Sequence, residues 1–175
     1  MPGHVAFVRA LNVGGTGKLP MAELRALFEG VGCADVRTHV QSGNVVFRSR
    51  ASATTLRRRL EQAIEVRMGR RHGVLLRTAS ELAEVLEGNP FPDAAPNRVL
   101  VLFLDEPADP EVVAATPIPG NEEMVPRGRE LFVHFPDGMG RSRLKVPFQD
   151  RGTGRNINTI RKLATMLDEL TPGGS

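Results

Sequence analysis

The sequence predicts an α+β protein of two packed subdomains, the first with the ferredoxin-like βαββαβ order and the second a similar βαββα unit. Three observations carry this. Short apolar runs alternate with stretches of helical period, their order across residues 1–78 is β-α-β-β-α-β, and most of that order returns after residue 97. The expected boundaries are an N-terminal subdomain 1–78, a helical connector 79–97 and a C-terminal subdomain 98–175. No repeat in the amino-acid sequence accompanies the recurring order.

Each element has its own reason. His4 to Ala10 is apolar on both strand faces, as a strand between two layers requires. Pro20 suits a first helical turn, Met21, Leu24, Leu27, Phe28 and Val31 form the stripe that follows, and Gly32 ends it. Val36, Thr38 and Val40 alternate with Arg37, His39 and Gln41, a half-exposed strand that returns after Ser42-Gly43 through Val45 and Phe47. Leu56, Leu60, Ala63 and Ile64 mark a second helix closed by Gly69, and Val74-Leu75-Leu76 is a strand. Thr78 and Glu81 stand at capping-box spacing before a helix that reaches Glu87.

In the second half, Arg98 to Leu104 reads as a strand and Pro110 to Ala115 as a short helix. Glu123 to Phe135 follows as a hairpin turning near Arg127-Gly128. Ile157, Ile160, Leu163, Ala164, Leu167 and Leu170 give the last helix its apolar side. The residues expected in the core are Val5 to Val8, Leu24, Phe28, Val45, Phe47, Leu60, Leu100, Leu102, Leu163 and Leu167.

Charge is segregated along the chain. Met1 to Arg77 holds thirteen Lys or Arg against five Asp or Glu, Thr78 to Met124 one against ten, and Val125 to Ser175 nine against five. The basic blocks contain all three of the polar stretches that punctuate the chain, so fields from both would add wherever the ends pack together. The competing reading is plain: Arg outnumbers Lys twenty to three, a bias that genome composition can produce, and Arg57-Arg58-Arg59 also reads as the solvated side of a helix.

Those stretches are Arg9-Ala-Leu-Asn12-Val-Gly14-Gly15-Thr-Gly17-Lys18, Gln41-Ser42-Gly43-Asn44, and Gly152-Thr-Gly154-Arg155-Asn156-Ile-Asn158-Thr159. Each falls where a strand or helix begins or ends, where backbone N–H groups are unpaired and glycine admits a ligand that a Cβ would repel. Arg, Asn and Ser add donors, so the chemistry offered is recognition of an anion or an acceptor-rich group. The candidate ligand-binding residues are Arg9, Asn12, Gly14, Gly15, Lys18, Gln41, Ser42, Asn44, Arg141, Ser142, Arg155, Asn156 and Asn158. Arg9, Asn12, Lys18, Ser42, Asn44, Arg155, Asn156 and Asn158 are expected to approach one cleft. Arg155 sits near a helix N-terminus, where a cation is disfavoured unless it points away or an anion lies between. Capping by Thr153, Asn156 or Asn158, with Arg155 paired to a carboxylate such as Asp150, is the competing structural reading.

Sharper motifs fail on their residues. Gly17-Lys18 suggests a phosphate-binding loop, but Asn12 replaces its first Gly and Leu19 its metal-binding hydroxyl. Gly152-Thr-Gly154 begins a dinucleotide fingerprint whose third Gly is Ile157, with no clear strand leading in. Ser42 lacks a nucleophile elbow. His4, His39, His72 and His134 have no metal-ligand spacing, so neither metal nor cofactor is expected. Cys33 stands alone just past a helix end and reads as a structural thiol. No basic segment leading into a long apolar run opens the sequence and no stretch nears 18 apolar residues, so a cytoplasmic protein without membrane contact is expected.

With the motifs placed, a resemblance emerges. The stretch Arg9 to Gly15, Lys18 to Leu24, Val36-Arg37-Thr38, Gln41 to Phe47, and Thr153 to Asn156 with Asn158-Thr159 resemble the uncharacterised bacterial domain-of-unknown-function family 1697 over nearly the whole chain. Arg141-Ser142-Arg143-Leu144 is similar to that family's Ser-Lys-Leu segment. Ala10 stands where the family usually has Gly, His39 where it has Tyr and Ile157 where it has Trp. The resemblance implies an α+β architecture and no particular activity.

The functional expectation is a basic polar cleft that binds an anionic, phosphate-bearing ligand, with a phosphate-bearing small molecule or a nucleic-acid backbone as the expected partner. Its alternatives are an enzyme acting on a phosphorylated small molecule or nucleotide, and a module for a nucleic-acid backbone or a protein partner. His39 is the acid–base candidate for the enzyme. Nucleic-acid stacking lacks Trp and Tyr. Oligomeric state is left open.

Overall fold

The computed structural model describes residues 1–11, 19–39 and 43–170. They form two compact units, residues 1–83 with 163–175 and residues 84–162. The first contains β1 (Gly3–Val8), α1 (Met21–Gly30), β2 (Ala34–His39), β3 (Asn44–Arg48), α2 (Ala53–Met68) and β4 (Val74–Thr78). The strands make one antiparallel sheet of order β2-β3-β1-β4, the βαββαβ order read from the sequence. Val5 to Val8 are wholly buried, so β1 is the central apolar strand its composition requires.

Alternation sorts the sheet. Ala6, Val8, Val45, Phe47, Val74 and Leu76 face a core shared with Leu24 and Phe28 of α1 and Leu56, Leu60 and Ile64 of α2. The Phe28 and Phe47 rings meet edge to face, 5.4 Å between centroids. Val5, Phe7, Val46 and Leu75 of the opposite face are buried too, and with them lies Arg77, 1% exposed. Ser52 caps α2 by accepting from Thr55 N at 3.2 Å, and Gly69 ends it in the left-handed conformation with φ 74°.

α3 (Ala79–Glu87) begins with the expected capping box: Thr78 N donates to Glu81 Oε1 at 2.9 Å and Glu81 N to Thr78 Oγ1 at 3.1 Å. The second unit then builds β5 (Val99–Phe103), α4 (Pro110–Ala115), β6 (Glu123–Arg127) and β7 (Glu130–His134) as expected. The hairpin turns at Gly128, φ 56°. It adds an element that the sequence reading lacked, a fourth strand β8 (Thr153–Asn156) pairing antiparallel with β5, so the sheet order is β6-β7-β5-β8. Thr-Gly-Arg-Asn has no apolar alternation and only Thr153 is β-branched, so pairing to β5 is what makes it a strand. α5 (Ile157–Leu170) follows at once.

Leu102, Leu104, Ala108, Val113, Leu131, Val133, Phe135 and Val146 form the second core. All the residues expected in the cores are buried except Leu100, which is half-buried at its rim. Among the described residues no helix is long and apolar enough to cross a membrane.

Candidate functional site

The first unit brings parts of two polar stretches together at one end of its sheet. Val8 N donates to Gly43 O at 2.9 Å, and Arg9 N donates to Gly73 O at 2.8 Å. The end of β1 thus lies between the turn into β3 on one side and the loop into β4 on the other. Gly43 is obligatory here: its φ is 76°, and a Cβ would stand 2.7 Å from Val8 O. Ala10 takes φ 52°, a left-handed conformation that costs a non-glycine residue free energy.

Arg9 leaves β1 half-buried, its Cδ within 3.2 Å of where a Cβ on Gly73 would be. Asn44 is wholly buried and donates from Nδ2 to His39 O at 3.1 Å, which fixes the ends of β2 and β3. Arg37, on the same strand as His39, is ion-paired to Glu169 at 2.9 Å. Asn12, Gly14, Gly15, Lys18, Gln41 and Ser42 lie outside the described residues.

Sequence reasoning passed over the loop Gly69-Arg70-Arg71-His72-Gly73. His72 is buried, and its Nδ1 sits 3.0 Å from Arg9 O. A carbonyl only accepts, so Nδ1 carries the proton. Its Nε2 is buried with no hydrogen-bond partner among the described residues. Two arginines between glycines at a helix–strand junction were the available signal; the burial of the histidine is tertiary and left none. Beside the loop, Glu61 Oε1 accepts from Arg57 Nε at 3.0 Å and Val74 N at 3.1 Å, and Oε2 lies 3.6 Å from Arg71. This cluster lines an open groove of about 470 Å³ with Thr54, Arg58, Gln62 and Glu65.

The third stretch belongs to the second unit, where its residues have local work. Asn156 caps α5, its Oδ1 accepting from Thr159 N at 2.9 Å. Arg155 is held in β8 instead of a helical turn, donating to Thr153 Oγ1 at 2.6 Å and Gly154 O at 2.9 Å. Burial pushes its guanidinium down to about 10. A Cβ on Gly154 would come 2.9 Å from Leu100, so that glycine serves close packing of β8 on β5. Asn158 is exposed on α5 and Arg141 is exposed. Ser142 donates to Glu122 Oε1 at 2.8 Å and accepts from Leu144 N at 3.1 Å; the Ser142 bond holds the Glu122 carboxyl below the usual range. Among the described residues no three His, Cys, Asp or Glu side chains group to hold a metal ion.

The architecture defined by these units is a two-sheet α+β protein. The model of the family "Protein of unknown function (DUF1697)" matches residues 1–132, and the chain belongs to that family. The match includes both polar stretches of the first unit and stops short of the third. Among solved structures, the conserved bacterial protein SP0830 from Streptococcus pneumoniae superposes with a TM-score of 0.78 at 27% identity, over 95% of this chain and 98% of that one. No curated protein matches.

Proposed function

We propose that the protein binds a phosphate-bearing anion at the end of the first unit's sheet, between Arg9, the turn at Gly43 and the loop Gly69–Gly73. The reading rests on one observation: the backbone pairing of Val8 to Gly43 and Arg9 to Gly73 makes both polar stretches open from the same end of one strand. Three features add support. Two glycine-lined turns flank an arginine, Ala10 stores backbone strain beside it, and the unit carries thirteen Lys or Arg against eight Asp or Glu. Asn12, Gly14, Gly15, Lys18, Gln41 and Ser42 belong to the same stretches and are proposed as further contacts. Arg141, Ser142, Arg155, Asn156 and Asn158 are left to the second unit, where Ser142, Arg155 and Asn156 already make internal hydrogen bonds.

Calorimetry of the whole chain with inorganic phosphate, pyrophosphate and ATP tests this. Binding should weaken by about 10- to 100-fold in Arg9→Ala, the loss expected for one charge-assisted hydrogen bond. Absence of binding by all three ligands, or an Arg9→Ala variant that binds as the wild type does, would defeat the reading.

A nucleic-acid backbone is the second reading, favoured by Arg58, Arg59, Arg70 and Arg71, all exposed on this unit. It requires affinity for oligonucleotides that falls steeply with salt and is indifferent to base sequence.

A further inference from the structure

The geometry points to His72 as the proton-dependent donor of that anion site: with Nδ1–H held by the Arg9 carbonyl, the protonated ring offers Nε2–H to an anionic oxygen of a phosphate group. The inference deepens the proposed function and rests on it.

Two facts combine. The 3.0 Å contact to Arg9 O fixes which nitrogen carries the proton of the neutral ring, leaving Nε2 as a bare acceptor. That acceptor is buried and unpartnered among the described residues, a state that costs free energy unless something fills it. Protonation turns the orphan acceptor into a charged donor, yet a buried charge alone is costlier still. Proton and anion together resolve both penalties, so each stabilises binding of the other.

The charges around the ring favour this coupling. β1 supplies Arg9, and the loop itself supplies Arg70 and Arg71. α2 supplies Glu61, already bound to Arg57, Arg71 and Val74 N. Glu61 is therefore already committed, and the loop's arginines disfavour an imidazolium that has no anion beside it. The proton comes from solvent and returns to it on release.

The experiment is nitrogen NMR of the imidazoles in the full chain at pH 7.5, titrated with inorganic phosphate. Phosphate affinity of the wild type and His72→Asn is measured alongside, between pH 6 and 8. Asn retains an amide donor for the Arg9 carbonyl and removes Nε2. His72 Nε2 should pass from unprotonated to protonated at saturation. The ratio of wild-type to variant affinity, in which the ionisation of phosphate itself cancels, should fall by up to about tenfold per pH unit. Phosphate binding that leaves Nε2 unprotonated, or a ratio independent of pH, overturns the assignment and leaves the anion site standing. No binding of inorganic phosphate overturns both. If His72→Asn does not fold, the wild-type titration decides alone.

Discussion

Arg77 and Arg155 occupy the same position in two sheets. Arg77 stands opposite Val5 of β1, and Arg155 stands opposite Val101 of β5. Each NH1 donates to the carbonyl of the preceding residue at 2.9 Å. The next residue caps a helix in both cases, Thr78 for α3 and Asn156 for α5. With β2-β3-β1-β4 matching β6-β7-β5-β8, the two units share one plan in the absence of a sequence repeat.

The two arginines should differ in stability cost because their burial differs. Arg77 is 1% exposed, so Arg77→Ala opens a cavity and should cost about 3 to 5 kcal/mol. Arg155 is half-buried, and Arg155→Ala should cost on the order of 1 to 3 kcal/mol through its lost hydrogen bonds. Urea denaturation measures both, with Leu163→Ala as a core reference expected at about 2 to 5 kcal/mol. Equal losses for the two arginines would contradict the comparison.

Ala10 and Gly43 both have positive φ, but their substitutions should change stability with opposite signs. Ala10 at φ 52° is strained, so Ala10→Gly should be neutral or stabilise by up to about 1 kcal/mol, the relief of strain offsetting the added freedom of the unfolded chain. Gly43→Ala should destabilise by about 2 kcal/mol or more, since it meets both φ 76° and the Val8 carbonyl. Thermal denaturation of the two variants checks the opposite signs.

Periodicity made the helices, the second hairpin and most strands readable, because 3.6- and 2-residue spacing is written directly in the apolar pattern. β8 was hidden because Gly154 contributes no side chain and is a strand residue only through its fit to Leu100. Arg77 falls just outside the apolar run Val74 to Leu76, so nothing in the pattern marks it as buried, although the sheet leaves it 1% exposed. For the site, Arg9 and Gly43 were legible as polar punctuation of strands. His72 was not, since its tautomer and its orphan nitrogen depend on a carbonyl 63 residues away.

Cys33 should resist alkylation in the folded protein. Burial pushes its thiol up to about 11, so almost no thiolate exists at pH 8, and the sulfur is enclosed. Reaction with a thiol reagent at pH 8 should proceed only as fast as the protein opens and become rapid in denaturant. Immediate stoichiometric labelling of the native chain would contradict the buried position.

His4 should make stability fall on the acid side of neutrality. It is 6% exposed and stacked on Phe47 at 5.5 Å, and burial lowers its pKa, only partly opposed by its bond to Ser49 and by Glu81. The folded state therefore prefers the neutral ring, whereas the unfolded chain takes up a proton near the ordinary value of about 6.5. Stability from this residue is complete above that value and is lost as pH falls below it, at up to about 1.4 kcal/mol per pH unit, until the folded pKa is reached. Urea denaturation at pH 7.5, 6.5 and 5.5 should show the decline in the wild type. His4→Phe keeps an aromatic ring beside Phe47 and should remove that part of the slope. A variant whose acid-side decline equals the wild type's would place the titrating group elsewhere.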